Sequence, residues 1–336
     1  NETTTQQSFD DYGRIRGILH KKNADTLINL TYDYDERGNI ASGTVDFPYD
    51  LSFTGFSNYE ANYNTLNQVI SENGNDYAYD HDGNLTKIDG NRDFAAGYTD
   101  ENLIDSMIIG GQTLKYEYNG LMQAVKVIVN DQEFHLYYDL DDRLLFETDA
   151  SNNILIKYIY AGHRLVALVD ADDKLHFYHY DRTGNTLALT NTNGEISNAY
   201  WYTPSGEKVI SQGAVKNRFT YLGAWNVSDE NNGFYRMGLR VYDAHLGRFI
   251  QRDPKGFVDG TNLYAYGYNN PLLHLDPKGA DVANGTADLF TCQGPVYGDD
   301  FISPETARVI SETVNLTTDL APGISDVKGS AKLLYY

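Results

Sequence analysis

Residues 175–191 read LHFYHYDRTGNTLALTN. Six residues with the alternation and aromatic content of a strand run into a polar stretch carrying Asp, Gly and Asn, and a second apolar run follows. The stretch therefore predicts strand, turn, strand. A hairpin of this size cannot bury its own apolar face, so it needs neighbours of the same kind.

Such neighbours recur along the chain, marked by tyrosine, which is used 28 times. Aligned on Tyr, the units read YDERGNI from Tyr34, YDHDGNL from Tyr79, YTDENLI from Tyr98, YNGLMQA from Tyr118, YDLDDRL from Tyr138, YAGHRLV from Tyr160, YDRTGNT from Tyr180 and YTPSGEK from Tyr202. From Tyr79 onward the steps are 19, 20, 20, 22, 20 and 22 residues. A spacing held so closely is a repeat, and stacked units of this kind build one continuous sheet. The units around Tyr34 and Tyr63 are less regular. Helical periodicity is nearly absent before residue 303, so an all-β chain is expected.

Length, at 336 residues, allows a large core. A formal charge of -21 and a pI near 4.6 argue against nucleic acid as the main partner, which needs clustered Lys and Arg, and favour a basic partner or cargo. The sole cysteine, Cys292, excludes an intrachain disulfide. No apolar run approaches the roughly 20 residues of a membrane helix, and the start, NETTTQQSFDDYG, lacks the basic and apolar regions of a signal peptide. The chain reads as a piece of a longer polypeptide.

The tetrapeptide DPKG occurs at 253–256 and again, 23 residues on, at 276–279. Asp-Pro initiates turns and Gly closes them, so turn chemistry alone accounts for each copy. The surrounding stretch, YRMGLRVYDAHLGRFIQRDPKGFVDGTNLYAYGYNNPLLHLDPKG at 235–279, is more specific. It resembles the repeat-associated core of the RHS (rearrangement hotspot) family, and the tyrosine units resemble that family's YD repeats. The core resemblance rests on GLRVYD, LGRF, RDP, NLYAY and NNP in the family's order.

The resemblance implies a long sheet spiralling into a hollow β-cocoon, closed by the core as a plug, with a variable toxin after the core. It implies a protein made in the bacterial cytoplasm and exported, whose partners are its own C-terminal toxin cargo, the N-terminal remainder of the shell, an immunity protein, and secretion machinery or Tc-toxin components. It also implies an aspartyl autoprotease, with the two aspartates falling on Asp253 and Asp276 and the associated arginine on Arg240. Paired carboxylates suit peptide hydrolysis because the first charge disfavours ionisation of the second, leaving one base and one acid. Arg240 would hold one carboxylate ionised or stabilise the oxyanion. Relatives are cut after an aliphatic residue following the second Gly. Ala280 stands at that place here, which puts the expected cut at Ala280–Asp281, with Gly279–Ala280 next.

The expected organisation is a YD-repeat shell over 1–230, the core and autoprotease plug over 231–279, and the start of the cargo over 280–336. In that last part SPETARVISETV at 303–314 predicts a helix, and APGISDVKG at 321–329 resembles pre-toxin segments. Two other readings stay open: a YD-repeat adhesion or wall-associated scaffold that never cuts, and a β-rich glycosidase, for which no acid pair with an aromatic platform can be named. His176 and His179 point to opposite faces of a strand, and the acidic turns at 80–84 and 170–173 lack the ligand spacing of a calcium loop, so no metal and no cofactor is expected. Arg248 and Arg252 are expected as structural ion-pair residues.

Overall fold

The computed structural model describes residues 3–51, 60–280 and 282–284. The predicted helix at 303–314, the segment 321–329, Cys292 and Asp281 lie outside them. Among the described residues the chain is all-β, with three short 3-10 turns and no α-helix. Four antiparallel strands between Thr3 and Asp46 form one sheet, and sixteen strands from Ala61–Tyr63 to Lys208–Gly213 form a second, each paired with its neighbours in chain order. A third, four-stranded sheet is built from Ser228–Asp229, Phe234–Met237, Arg240–Asp243 and Arg248–Phe249.

The repeat unit explains itself in hydrogen bonds. In Asp181–Asn185 the Asp181 amide donates to the Asn185 carbonyl at 3.0 Å and the Gly184 amide donates back to the Asp181 carbonyl at 3.2 Å. The Asp181 carboxylate meanwhile accepts from the Thr183 and Asn185 amides, both at 2.9 Å. This is a type I turn followed by a left-handed residue, closed by an acidic side chain that stands in for backbone. Gly184 has φ +90°, which is why Gly, Asn or Asp stands fourth in most units, although Met122 adopts the same left-handed conformation in the unit of Tyr118. Asp35, Asp80 and Asp139 close equivalent turns, and Asn64 and Asn119 do so with an amide oxygen.

The tyrosine ahead of each turn ends its strand, usually at a register shift, and reaches back to the neighbouring strand. Tyr98, Tyr118, Tyr160, Tyr180 and Tyr202 donate their hydroxyls to the carbonyls of Leu85, Ile104, Leu144, Leu165 and Thr186, at 2.6 to 3.1 Å. Those carbonyls stand at or next to the start of the strand that follows the previous turn. In Tyr34–Asp35 and Tyr180–Asp181 the pair does both jobs: Asp closes its own hairpin and Tyr ties it to the one before; after Tyr98, Tyr118 and Tyr202, Thr99, Asn119 or Thr203 takes the place of the Asp. At the opposite edge the early links are two-residue turns such as Gly110–Gly111 and Asn130–Asp131, with both residues at positive φ.

Burial alternates along strands such as Gln112–Tyr118, where Leu114 and Tyr116 point inward. Thr186–Thr190 is instead buried throughout, because both faces are covered. Leu189 belongs to the central core, while Leu187 and Ala188 pack with Ile18, Ile28 and Leu30 of the N-terminal sheet. A histidine pair marks that seam. The His20 Nε2–H donates to the Tyr180 carbonyl at 3.0 Å, and His20 Nδ1 lies 3.2 Å from His179 Nδ1. His176, on the other face of the same strand, contacts Ser197 and Asp170 instead.

The third sheet and its loops sit inside the curve of the long sheet. Leu85 and Thr186, far apart along that sheet, donate backbone hydrogen bonds to Ile250 and Thr220 at 2.9 Å each. Phe219, Phe234, Val241 and Ile250 complete the apolar core formed by strands from Val69 to Leu189. The long sheet therefore curls around this unit and touches it near both its ends.

Candidate functional site

The two DPKG copies make the same turn. Gly256 donates its amide to the Asp253 carbonyl at 3.0 Å, and Gly279 donates to the Asp276 carbonyl at 3.2 Å. Both glycines have positive φ, +71° and +62°, as the turn requires. Turn chemistry and a functional role are therefore compatible in these residues, since the turn leaves each side chain free to point elsewhere.

Both side chains point to Arg240. Its Nη2 lies 3.0 Å from Asp253 Oδ2 and 2.8 Å from Asp276 Oδ2. Arg240 and Asp276 are fully buried, at 2% and 0% exposure, and the Asp253 side chain is 7% exposed. The guanidinium lies 3.6 Å from the centre of the Phe249 ring, which shields its face from water. Arg240 Nη1 donates to the Leu263 carbonyl at 3.3 Å, and the Asp253 amide donates to the same carbonyl at 2.9 Å. One guanidinium thus faces two carboxylates in a place removed from water.

The chain beyond the second turn enters this cluster. Arg240 Nε donates to the Gly279 carbonyl at 2.6 Å, and the Ala280 amide donates to Asp276 Oδ1 at 3.0 Å. The peptide group between Gly279 and Ala280 is therefore held at its oxygen by the arginine and at its nitrogen by an aspartate. Asp253 Oδ1 accepts from the Lys255 amide at 2.8 Å and makes no equivalent contact with 279–280 among the described bonds. Of the residues expected at the site, Asp253, Asp276, Arg240, Gly279 and Ala280 come together; Asp281 lies outside the described residues.

Burial above all, then the nearby Tyr221 hydroxyl, holds the Tyr266 hydroxyl far above the ordinary tyrosine range. Arg248 departs from expectation: it donates to the Asn67 carbonyl and lies over the rings of Tyr63 and Tyr264, so backbone and aromatic partners replace an acid. Sequence reasoning also missed the ties that seat the unit. Arg92 reaches Asp243 with two bonds of 2.8 and 2.9 Å, and Arg218 reaches Glu147 with two of 2.8 Å. No local signal marks these pairs, whose members stand 151 and 71 residues apart.

No protein-family model matches the chain. It is similar to the tRNA nuclease WapA of Bacillus subtilis (strain 168), with 30% identity over 281 residues, which are 80% of this chain and 12% of that protein. It is similar also to the toxin protein Tse5 of Pseudomonas aeruginosa, with 32% identity over 32% of this chain and 8% of that protein. The chain thus spans a small fraction of the length of these relatives. Among solved structures, the Photorhabdus luminescens Tc holotoxin pore superposes with a TM-score of 0.59 at 19% identity, covering 85% of this chain and 18% of that one. That likeness is one of fold.

Proposed function

Because the chain belongs to the RHS/YD-repeat family, we propose that it is the C-terminal part of a toxin shell, which encloses a C-terminal toxin and releases it by cutting itself beside Ala280. In this reading the N-terminal sheet and the long curled sheet are sections of the shell wall, the third sheet from Ser228 through the second DPKG turn is the plug, which sets its start a few residues ahead of the expected 231, and the chain from 280 begins the cargo. The export machinery, the rest of the shell and an immunity protein would be its partners. The acidic chain would favour retention of a basic cargo.

The observation that carries the cutting step is the convergence of Asp253 and Asp276 on buried Arg240, with the Gly279–Ala280 peptide group bound to the same three-residue cluster. The reaction is hydrolysis of one peptide bond. One carboxylate takes a proton from a water molecule as its oxygen attacks the carbonyl carbon, and the other, protonated, donates to the carbonyl oxygen. The C–N bond then breaks and the nitrogen leaves with a proton, giving a carboxylate end on the shell and a new amino end on the cargo. Arg240 contributes fixed positive charge where negative charge develops. The bond that follows this anchored peptide, Ala280–Asp281, is the first choice for the cut, with Gly279–Ala280 next. Because the bond is held by the fold, positioning supplies much of the rate.

Intact-mass spectrometry of the denatured full chain tests this beside Asp253→Asn and Asp276→Asn. Two polypeptides from the wild type, divided beside Ala280, and whole chains from both variants are expected. A wild type that stays whole at every pH from 4 to 8 would sink the autoprotease and favour a binding scaffold built from the same sheet.

A further inference from the structure

We infer that Gly238 is a positioning residue for the cleavage proposed above, on which reading the inference rests. It sets where residues 278–280 lie against the acids without touching the acids itself.

Gly238 occupies the two-residue turn between strands Phe234–Met237 and Arg240–Asp243, two residues ahead of Arg240, with φ +53°. A Cβ there would fall 2.4 Å from the Lys278 carbonyl oxygen and 2.9 Å from its carbon. The contact is reciprocal. A Cβ on Gly279 would fall 2.4 Å from the Met237 carbonyl oxygen and 3.1 Å from the Arg240 amide nitrogen. The Leu239 amide completes the contact by donating to the Lys278 carbonyl at 3.3 Å. Two backbones therefore interlock with no side chain between them, and what a new methyl meets is main chain that cannot rotate aside.

A side chain at 238 has to push residues 278–279 away. The retreat draws the Gly279 carbonyl off Arg240 Nε and the Ala280 amide off Asp276 Oδ1, the two bonds that register the peptide in the site. A displacement of about 1 Å costs a positioned reaction on the order of a hundredfold in rate. Gly247 supplies the control. It lies in the same unit with a similar φ, +67°, but a Cβ there meets nothing nearer than 3.7 Å. Gly247→Ala carries the backbone strain without the collision.

The experiment follows the half-time of self-cleavage of the full chain in cell-free synthesis, sampled by intact mass, together with thermal unfolding of non-cleaving Asp276→Asn versions of each variant. Gly238→Ala is expected to cut on the order of a hundredfold more slowly than wild type, while Gly247→Ala, with a similar loss of thermal stability, cuts near the wild-type rate. Should Gly238→Ala fail to fold, Gly279→Ala makes the same test from the other side of the interlock. Cleavage of Gly238→Ala at the wild-type rate would overturn the inference and leave the aspartate mechanism standing. So would equal slowing of Gly238→Ala and Gly247→Ala, which would reduce the effect to stability. A wild type that never cuts removes both.

Discussion

The long sheet and the unit it curls around are held together on different scales. In the sheet, strands pair in chain order and a tyrosine such as Tyr118 reaches a carbonyl 14 residues back. In the inner unit, Arg240 meets Asp276 across 36 residues, Arg92 meets Asp243 across 151 and Gln68 meets Tyr264 across 196. The sheet is a sum of similar local closures, each replaceable. The inner unit concentrates buried charge whose compensation comes from elsewhere in the chain, so single losses there are expected to cost far more.

Arg240→Met probes that contrast at its strongest. It leaves two carboxylates in a dry site without their cation, and a loss of about 3–5 kcal/mol is expected from breaking a buried pair on one side, together with loss of self-cleavage. Denaturant unfolding of a non-cleaving background measures it. A midpoint unchanged from that background would break the comparison, since the inner unit would then tolerate loss of its central cation.

Next in size is the seam between the N-terminal sheet and the long sheet. Burial pushes His20 down from 6.5 to about 4, with nearby Arg164 acting in the same direction, and burial together with His20 holds His179 well below its usual range. The undocked rings therefore bind more protons than the docked ones between pH 6.5 and about 4, so seam stability rises with pH in that window. It is fully present above 6.5 and falls as pH drops, by about 1.4 kcal/mol per unit for each ring that remains neutral when docked. His245 works in the opposite sense: its hydrogen bond to Glu207 comes first among the causes that raise it, so its contribution is present at low pH and is lost as pH rises. Trp201, which packs on Phe47 at 5.3 Å across the seam, reports opening by its emission. A shift on acidification that His179→Gln leaves untouched would show that the seam does not depend on the pair.

Smaller effects sharpen the local side of the comparison. Asp181→Ala removes the acceptor for four hydrogen bonds in a buried turn, and a loss of about 1–3 kcal/mol is expected. Asp149→Ala, in an exposed turn of the same design, should lose visibly less by the same thermal measurement. Tyr118→Phe, which deletes one hydroxyl-to-carbonyl bond of 2.6 Å, is expected to cost about 1 kcal/mol. A loss several times larger would mean that the tyrosine ties act as one network and not as separate units.

Much of the wall was legible because its information is local. The unit DRTGN carries its acceptor, its left-handed residue and its strand-forming flanks within a few positions, so alignment on tyrosine located the hairpins before any pairing was known. The second face of Thr186–Thr190 was not legible in that way. TLALT reads as apolar, but what covers it comes from Ile18, Ile28 and Leu30, more than one hundred and fifty residues earlier. Arg248 misled for a similar reason: an arginine beside acidic motifs suggests an ion pair, whereas its nearest offered partners were a carbonyl and two rings brought from other parts of the chain.

The candidate site divides along the same line. By itself the sequence determined that Asp253 and Asp276 begin identical turns, because proline restricts the backbone at its own position and before it, and glycine permits the positive φ that ends the turn. Only the tertiary structure decided that both carboxylates meet on one guanidinium nitrogen, that Phe249 covers that guanidinium, and that Gly238 and Gly279 let two backbones touch. Turn geometry costs the ordering of four residues and is settled among them. Convergence of the three charged groups needs loops of 23 and 36 residues closed at once, and the packing of the whole inner unit against the curled sheet supplies the free energy to hold them there.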